Sequence, residues 1–208
     1  VKGRFHLSTV DHAMNMPAAP PAPVPEPAPD PAPAPAEILA RQRAAFLHDG
    51  APGIAERKAD LKRLRRTLIA WRPRIEAAVS ADFGHRSRHE TAVMEIVPTV
   101  QGIDYLIRNL RRFMRPRRRH VAVTMQPGRA RVEYQPLGVI GVVAPWNYPV
   151  SLAIMPIATA IAAGNRVMVK PSEYTPETSA LLVQMLGTVF SPDQVAVILG
   201  DAAVGAAF

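Results

Sequence analysis

Apolar residues recur every three or four positions along two segments in the first half of the chain, with arginine and lysine between them. This spacing places the apolar side chains on one face of a helix, so both segments are predicted to be amphipathic helices. The first spans residues 56–79 and contains Pro73, which should kink the helix or divide it. The second spans residues 90–114, and a shorter helix is predicted over residues 37–47. The predicted apolar face of the second helix consists of Val93, Val97, Val100, Ile103, Ile107, Leu110 and Met114. Together these helices predict a helical scaffold over residues 37–119.

The pattern changes to strict alternation after the scaffold. Apolar and polar residues alternate over residues 121–125 and again over residues 131–135, and the turn dipeptide Pro127-Gly128 lies between them. This arrangement predicts a β-hairpin within residues 120–138. Because a two-stranded hairpin is marginal in water, we expect it to lean on a sheet of its own chain or of a neighbouring subunit.

From residue 139 onward, short β-branched runs alternate with longer apolar segments. Val139 to Val143 and Val167 to Val169 are predicted strands, and the Ala-rich segment between them is a predicted crossover helix. A third strand is predicted over residues 195–199, and a further helix begins within residues 201–208. This order is typical of an α/β fold with a parallel sheet. Ligands of such sheets bind at the carboxyl ends of the strands, where two polar motifs follow here.

The first 36 residues differ from the rest in composition. Proline and alanine dominate from Pro17 to Ala36, and proline removes amide donors and fixes φ. Residues 1–36 are therefore predicted to be a disordered tail or linker that favours polyproline II. Recognition of its Pro-x-x-Pro spacing by a partner is the alternative interpretation.

The chain carries a formal net charge of +8, mostly from arginine, and has no cysteine. Without cysteine, it can form no disulfide, no thiolate metal site and no thiol nucleophile. The charge indicates either an anionic partner such as nucleic acid or simply solvated helix faces. Arginines crowd residues 108–119, where they could hold phosphate or pair with carboxylates across a subunit interface. Because no aromatic residues interleave with them, nucleic acid is the weaker interpretation.

Metal and membrane binding are not expected. His85 and His89 have the spacing of a helical metal pair, but no third ligand accompanies them, and Arg86 and Arg88 would repel a cation. No apolar run reaches the roughly 18 residues of a membrane span. The first 16 residues lack the apolar core of a signal peptide, so we expect a cytoplasmic protein.

Four motifs occur in a fixed order along the second half of the chain. They are Tyr134-Gln135-Pro136-Leu137-Gly138-Val139, Pro145-Trp146-Asn147-Tyr148-Pro149, Ala162-Ala163-Gly164-Asn165 and Lys170-Pro171-Ser172-Glu173. In this order and spacing they resemble the aldehyde dehydrogenase family, and the resemblance covers about residues 37–208. The segment from Ala81 to Ser87 is most similar to the coniferyl-aldehyde dehydrogenase branch.

The resemblance implies a fold, a reaction and an oxyanion donor. Members of this family oxidise an aldehyde to a carboxylic acid through a cysteine thiohemiacetal, with NAD(P) bound on a Rossmann-like parallel sheet. No Gly-x-Gly-x-x-Gly fingerprint and no Walker phosphate loop occur in this chain, so the nucleotide site would be of the family's own kind. Asn147 matches the asparagine whose amide stabilises the oxyanion. The alternative is an asparagine that serves only the turn before Tyr148-Pro149.

The resemblance also assigns cofactor-binding residues. Lys170 and Glu173 match the pair that holds the adenosine ribose hydroxyls, and their alternative is a surface ion pair. The Glu173 carboxylate would repel a 2′-phosphate, so NAD is favoured over NADP. The remaining predicted cofactor contacts are Val143, Ala144, Pro145, Trp146, Asn147 and Ser172. For Trp146, packing within the protein is an equal alternative.

The nucleophilic cysteine and general-base glutamate of the family would lie beyond Phe208. The chain is therefore predicted to be the N-terminal part of such an enzyme, inactive alone and homo-oligomeric when full length. Two alternatives remain open: a non-catalytic, arginine-rich module that binds nucleic acid, and a degenerate paralogue that binds nucleotide only.

Overall fold

The structure is a computed structural model that describes residues 34–208. The predicted tail over residues 1–33 lies outside the described residues. The helices are α1 (Pro35–Asp49), α2 (Ile54–Ala70), α3 (Arg72–Asp82), α4 (Arg88–Thr91), α5 (Val97–Phe113), α6 (Ser151–Ala163), α7 (Pro176–Gly187) and α8 (Ala202–Ala207). The strands are β1 (Arg117–Arg119), β2 (Ala130–Val132), β3 (Val139–Val143), β4 (Arg166–Lys170) and β5 (Val195–Val197). This mixture of helices and a parallel sheet confirms the predicted α/β class.

Strands β3, β4 and β5 form one parallel sheet in that order. Val143 at the end of β3 is paired with Lys170 at the end of β4. Helices α6 and α7 are the crossover connections between these strands, as predicted for a strand–helix–strand series. The third strand ends two residues earlier than predicted, although the Ile198 amide still donates to the Val169 carbonyl.

Both faces of this sheet are covered. On β4, Val167 and Val169 join the main core, whereas Met168 points to the opposite face and packs with Ile38 of α1. Partly buried Phe208 at the chain's last position packs on that second face too. Successive strand residues point to opposite faces, which explains this division. Helix α1 therefore covers the sheet and is not part of a continuous helical scaffold.

The other helices of the first half form a layer against α6 and α7. Leu61, Leu64, Leu68 and Ile103 are completely buried in the core that they share with Ile157 of α6. The predicted division at Pro73 is confirmed, since α2 ends at Ala70 and α3 begins at Arg72. A proline in the first turn of a helix loses no hydrogen bond, so the break falls just before it.

The predicted helix over residues 90–114 contains an irregular turn. Residues Ala92–Ile96 form a π-helical turn between α4 and α5. The extra residue of such a turn rotates the helix face, and π turns are frequent at functional sites. Val93 and Val97, predicted to face the core, are 63% and 46% exposed, whereas Glu95 is fully buried. The predicted apolar face is therefore wrong over its first turns.

The hairpin within residues 120–138 is wrong in its strand positions. Arg117–Arg119 pairs antiparallel with Ala130–Val132, and residues Val123–Met125 form a 3₁₀ turn between them. Alternation predicts a strand when one face is buried, but both strands of this ribbon are exposed along their whole length. Because neither face of the ribbon is buried, the alternation of apolar and polar residues does not determine which residues form its strands.

The start of α1 also differs from prediction. The helix begins at Pro35, so the last two residues of the predicted tail are helical. Proline fits the first helical position because the amide that it lacks would have no partner there.

The Gly164–Asn165 pair connects α6 to β4 and also contacts the segment that leads into β3. Gly164 ends the helix with a φ of 87°, and the Arg57 guanidinium lies where a Cβ would be. The Asn165 side-chain oxygen accepts hydrogen bonds from the amides of Leu137 (2.7 Å) and Gly138 (3.0 Å). This third motif therefore has a structural role, because it fixes the position of the start of β3 relative to the end of α6.

In the part of the chain from residue 34 onward, no helix combines the length and the apolar character needed to cross a membrane.

Candidate active site

The two polar motifs meet at the carboxyl edge of the parallel sheet. Val143 is the register partner of Lys170, and the Ala144 amide donates to the Lys170 carbonyl over 3.0 Å. The loop that follows β3 and the loop that follows β4 therefore start side by side. In open α/β sheets this edge is where ligands bind.

Lys170 and Glu173 form a hydrogen-bonded ion pair in the loop after β4. The Lys170 Nζ donates to the Glu173 Oε2 over 2.7 Å. Lys170 is only 4% exposed, and its aliphatic stem runs beside Gly205 of α8. The Glu173 carboxylate is more open, with 35% of its side chain exposed. The hydrogen bond from Lys170 lowers the pKa of Glu173 below its ordinary value.

Ser172 is buried, and its oxygens accept hydrogen bonds from its own loop and from the first turn of α7. Its Oγ accepts from the Tyr174 amide over 3.2 Å, and its carbonyl accepts from the Ser179 hydroxyl over 3.0 Å. These bonds fix the loop between β4 and α7. Ser172 therefore stabilises the shape of the site and is not open to solvent.

The loop from Ala144 to Val150 presents an apolar rim with one amide. Val143 and Trp146 are 68% and 53% exposed, and Pro145 and Asn147 are also exposed. Ala144 is buried beneath them. Exposed large apolar side chains beside a polar group are typical of a surface that another group covers.

Asn147 is held by its main chain. The Arg86 Nη1 donates to the Asn147 carbonyl over 2.9 Å. Within residues 34–208 the Asn147 side-chain amide makes no hydrogen bond, so it does not close a turn by bonding to the local backbone. Its donor group is left exposed at the end of β3.

Sequence reasoning missed Arg86 as a site residue and treated it only as a cation that would disfavour metal binding. Its guanidinium stacks over the Phe83 ring at 3.7 Å and lies 5.3 Å from the Tyr148 ring centre. The Phe83 ring in turn lies 6.3 Å from the Trp146 ring. The turn after α3 thus contacts the loop that carries Asn147. The segment from Ala81 to Ser87, which sequence analysis used only for the family resemblance, contains both Phe83 and Arg86.

Glu95 was also missed. Its Oε2 accepts hydrogen bonds from the amides of Val150 (2.8 Å) and Ser151 (3.1 Å) at the N-terminus of α6. Burial raises the pKa of Glu95 above its ordinary value, although the two amide donors and Arg86 oppose this rise. A carboxylate at a helix N-terminus is favoured by the helix dipole.

Asp82 makes a matching contact to the other loop. Its two carboxylate oxygens accept from the amides of Glu177 (2.9 Å) and Thr178 (2.8 Å) in the first turn of α7. Both helices that follow the candidate site, α6 and α7, are therefore capped by carboxylates from the first half of the chain.

The arginine-rich segment lies elsewhere in the fold. Arg108, Arg111 and Arg112 belong to the end of α5, and Arg117–Arg119 forms β1.

Within residues 34–208, no three histidine, aspartate or glutamate side chains are grouped as a metal site would require.

Comparison with known proteins gives consistent matches. The profile of the aldehyde dehydrogenase family matches residues 36–208. A probable coniferyl aldehyde dehydrogenase of Pseudomonas aeruginosa is 47% identical over 171 residues, which cover 82% of this chain and 36% of that protein. A coniferyl aldehyde dehydrogenase of a Pseudomonas species is 44% identical over 171 residues, with 82% and 35% coverage.

Solved structures agree with the sequence matches. The substrate-bound structure of Staphylococcus aureus AldH superposes with a TM-score of 0.78 at 25% identity, covering 82% of this chain and 37% of that one. The chain therefore spans about a third of the length of the proteins that it matches.

Proposed function

The chain belongs to the aldehyde dehydrogenase family, as the four motifs predicted, and from this premise we propose that it supplies two parts of an NAD-dependent aldehyde oxidation site. The first part is Asn147 as oxyanion donor, and the second is the Lys170–Glu173 pair as ribose-binding group. The reaction is the oxidation of an aldehyde to a carboxylic acid. The full-length protein, meaning this chain with any sequence its gene encodes beyond Phe208, is the proposed catalyst.

One observation carries this proposal. The register of Val143 with Lys170 puts an exposed amide and a donor–acceptor pair on adjacent loops at the carboxyl edge of one parallel sheet. The nicotinamide end of NAD must meet the reacting carbonyl, while the adenosine ribose lies at the other end of the cofactor. Neighbouring strand ends at one sheet edge can hold both ends of such a ligand.

Asn147 would act on the carbonyl oxygen of the aldehyde. When a thiolate attacks the carbonyl carbon, a carbon–sulfur bond forms and the π electrons move to oxygen. The neutral Asn147 amide donates to this oxyanion and stabilises it without losing a proton. Because the 208 residues include no cysteine, the thiolate must come from outside them, and we expect the chain alone to be inactive.

The Lys170–Glu173 pair fits a ribose diol. An ammonium donor and a carboxylate acceptor lie 2.7 Å apart, with the acceptor exposed and the donor supported by α8. A vicinal diol can donate to the carboxylate and accept from the ammonium at the same time. Val143, Pro145 and Trp146 would cover apolar parts of the nucleotide. When bound, NAD supplies the hydride acceptor of the reaction.

We propose an aromatic aldehyde as the substrate. Two relatives at 47% and 44% identity are named for coniferyl aldehyde, and this similarity supports the same substrate class here. The β1–β2 ribbon is a proposed subunit contact, because its strands are exposed on both faces and a lone ribbon is marginal in water.

The test replaces Asn147 in the full-length protein. Asn147→Ala should lower kcat for coniferyl aldehyde with NAD by about 2 to 3 orders of magnitude, as loss of an oxyanion donor does. The KM for NAD should stay within about twofold, since the amide acts in the transition state. Steady-state absorbance of NADH gives both constants.

Asn109→Ala is the matched control, because among residues 34–208 the Asn109 side chain bonds only to the Tyr105 carbonyl of its own helix. This variant should keep the kcat of the parent protein. An unchanged kcat in Asn147→Ala, or no aldehyde oxidation by the folded full-length protein, would refute the proposed function.

A further inference from the structure

The loop that carries Asn147 is held from the first half of the chain at two points. On one side Arg86 donates to the Asn147 carbonyl over 2.9 Å. On the other side Glu95 accepts from the amides of Val150 and Ser151 over 2.8 and 3.1 Å. The loop bonds to the sheet at its start, through the Ala144 amide. These two side chains therefore fix the main chain on either side of the exposed Asn147 amide.

Arg86 is itself rigidly placed. Its side chain is 13% exposed and lies between the Phe83 ring, at 3.7 Å, and the Tyr148 ring, at 5.3 Å. The planar guanidinium can stack on aromatic rings and donate in the plane at once, which an ammonium cannot do. Tyr148 is the residue after Asn147, so the stack and the hydrogen bond act on consecutive residues of one loop.

Arg86 and Glu95 also support each other. The Arg86 Nη1 lies 3.5 Å from the Glu95 Oε1. Within the described residues, this oxygen is buried and has no hydrogen-bond partner, although the other oxygen caps α6. A buried carboxylate needs a nearby cation, so the loss of Arg86 would disturb Glu95 as well.

We infer that Arg86 and Glu95 are positioning residues that hold the Asn147 amide where the oxyanion forms. Arg86 sets the peptide of Asn147 directly, and Glu95 anchors the point where the loop becomes α6. The inference rests on the proposed role of Asn147 and adds the residues through which that role depends on the helical layer. Neither side chain is expected to touch the substrate.

The consequence for the reaction is specific. If the amide is displaced by about 1 Å, the oxyanion loses its donor, and such a shift costs up to about 100-fold in rate. The ribose-binding pair lies on the next strand and is supported by α8, so nucleotide binding should not change. A positioning residue of this kind lowers kcat and leaves the KM for NAD in place.

The test is a double-mutant cycle in the full-length protein, with Arg86→Ala, Asn147→Ala and both together. Arg86→Ala should lower kcat by about 10- to 100-fold in the parent protein. In the Asn147→Ala background the same change should lower kcat by less than about twofold, because the group that Arg86 positions is absent. Free guanidinium should restore part of the kcat of Arg86→Ala and nothing in the double variant.

Two further variants make the result interpretable. Arg88 is exposed and lies two residues after Arg86, so Arg88→Ala removes the same charge nearby and should leave kcat unchanged. If Arg86→Ala does not fold, Arg86→Lys runs the same cycle, since it keeps the charge but not the planar donor. Arg86→Lys should lower kcat less than Arg86→Ala would. In the Asn147→Ala background it should not lower kcat further.

The outcomes separate this inference from the proposed function. An equal loss from Arg86→Ala in both backgrounds, with Asn147→Ala itself strongly impaired, would overturn the inference and leave the oxyanion role intact. An unimpaired Asn147→Ala variant would refute the proposed function, and the inference with it.

Discussion

Glu173 is the residue on which the choice between NAD and NADP is expected to depend. Its carboxylate is exposed, and the hydrogen bond from Lys170 lowers its pKa, so it is ionised at neutral pH. A 2′-phosphate at the adenosine ribose would bring a second negative charge beside it. The ionised Glu173 carboxylate would repel this phosphate, which favours NAD over NADP.

Glu173→Gln is therefore predicted to increase kcat/KM for NADP relative to NAD by about fivefold in the full-length protein. Two like charges about 4 Å apart in water repel by ~1 kcal/mol, which corresponds to that factor. Glu177→Gln is the matched control, because Glu177 is exposed in the first turn of α7. The ratio of the two kcat/KM values should not change in the control. An unchanged ratio in Glu173→Gln would mean that this carboxylate does not face the ribose.

At the level of elements, Asp82 links the end of α3 to the start of α7. Its carboxylate caps two amides of a helix that begins about 95 residues later in the sequence. Asp201 makes a comparable pair of bonds, to the amides of Ala203 and Val204 at 3.0 and 3.2 Å, but within its own turn. The two caps allow a direct comparison between a long-range contact and a local one.

Asp82→Ala should destabilise the first turn of α7 by about 1 kcal/mol, the usual cost of removing a helix cap. We expect the amides of residues 177–179 to exchange hydrogen faster in this variant, since local opening controls exchange. Mass spectrometry of deuterium uptake in peptides across this turn measures the change. Asp201→Ala should leave these peptides unaffected and speed exchange only in α8. Equal uptake in Asp82→Ala and the parent protein would contradict the capping role.

The elements that could be predicted are those whose pattern depends on one buried face. Helices α2 and α3, with their break before Pro73, and strands β3 and β4 follow directly from apolar spacing. The β1–β2 ribbon could not be placed, because both of its faces are exposed and alternation carries no register there. The proposed roles of Asn147 and Lys170 came from motif resemblance, since an amide and an ammonium after a strand have many uses.

The π-helical turn explains why Glu95 was missed. Regular spacing from Val93 onward predicts that Glu95 lies off the apolar face, and no rule of spacing places an extra residue in the turn Ala92–Ile96. The turn brings Glu95 inside, where its two bonds to α6 compensate for its burial. Arg86 and Asp82 were missed because their partners lie 61 and 95 or more residues away, beyond any local pattern.

On the scale of the whole described chain, the sheet edge and the helical layer are coupled through charged side chains. Arg86 and Glu95 reach from the helical layer to the loop that carries Asn147, and Asp82 reaches the first turn of α7. An apolar core also lies between these parts. Stability and site geometry therefore share these three groups.

Glu95 should make the stability of the full-length protein fall as pH rises above 4.5, the ordinary glutamate value. Burial raises the pKa of Glu95 in the folded state, and repulsion from Glu90 adds to this rise. The hydrogen bonds from the Ser151 and Val150 amides and the charge of Arg86 oppose it. The folded state then holds the proton more tightly than the unfolded state, so this stabilising contribution is complete below pH 4.5 and is lost as pH rises through the raised pKa. Thermal midpoints of the parent and Glu95→Gln, measured from pH 4 to pH 8, should show the parent losing stability relative to the variant. Glu173→Gln is the control of opposite sign: because the Glu173 pKa is lowered, its contribution is constant above pH 4.5 and is lost only below it. A parent protein that gains stability relative to Glu95→Gln as pH rises would show that the cation and the amides outweigh burial at this site.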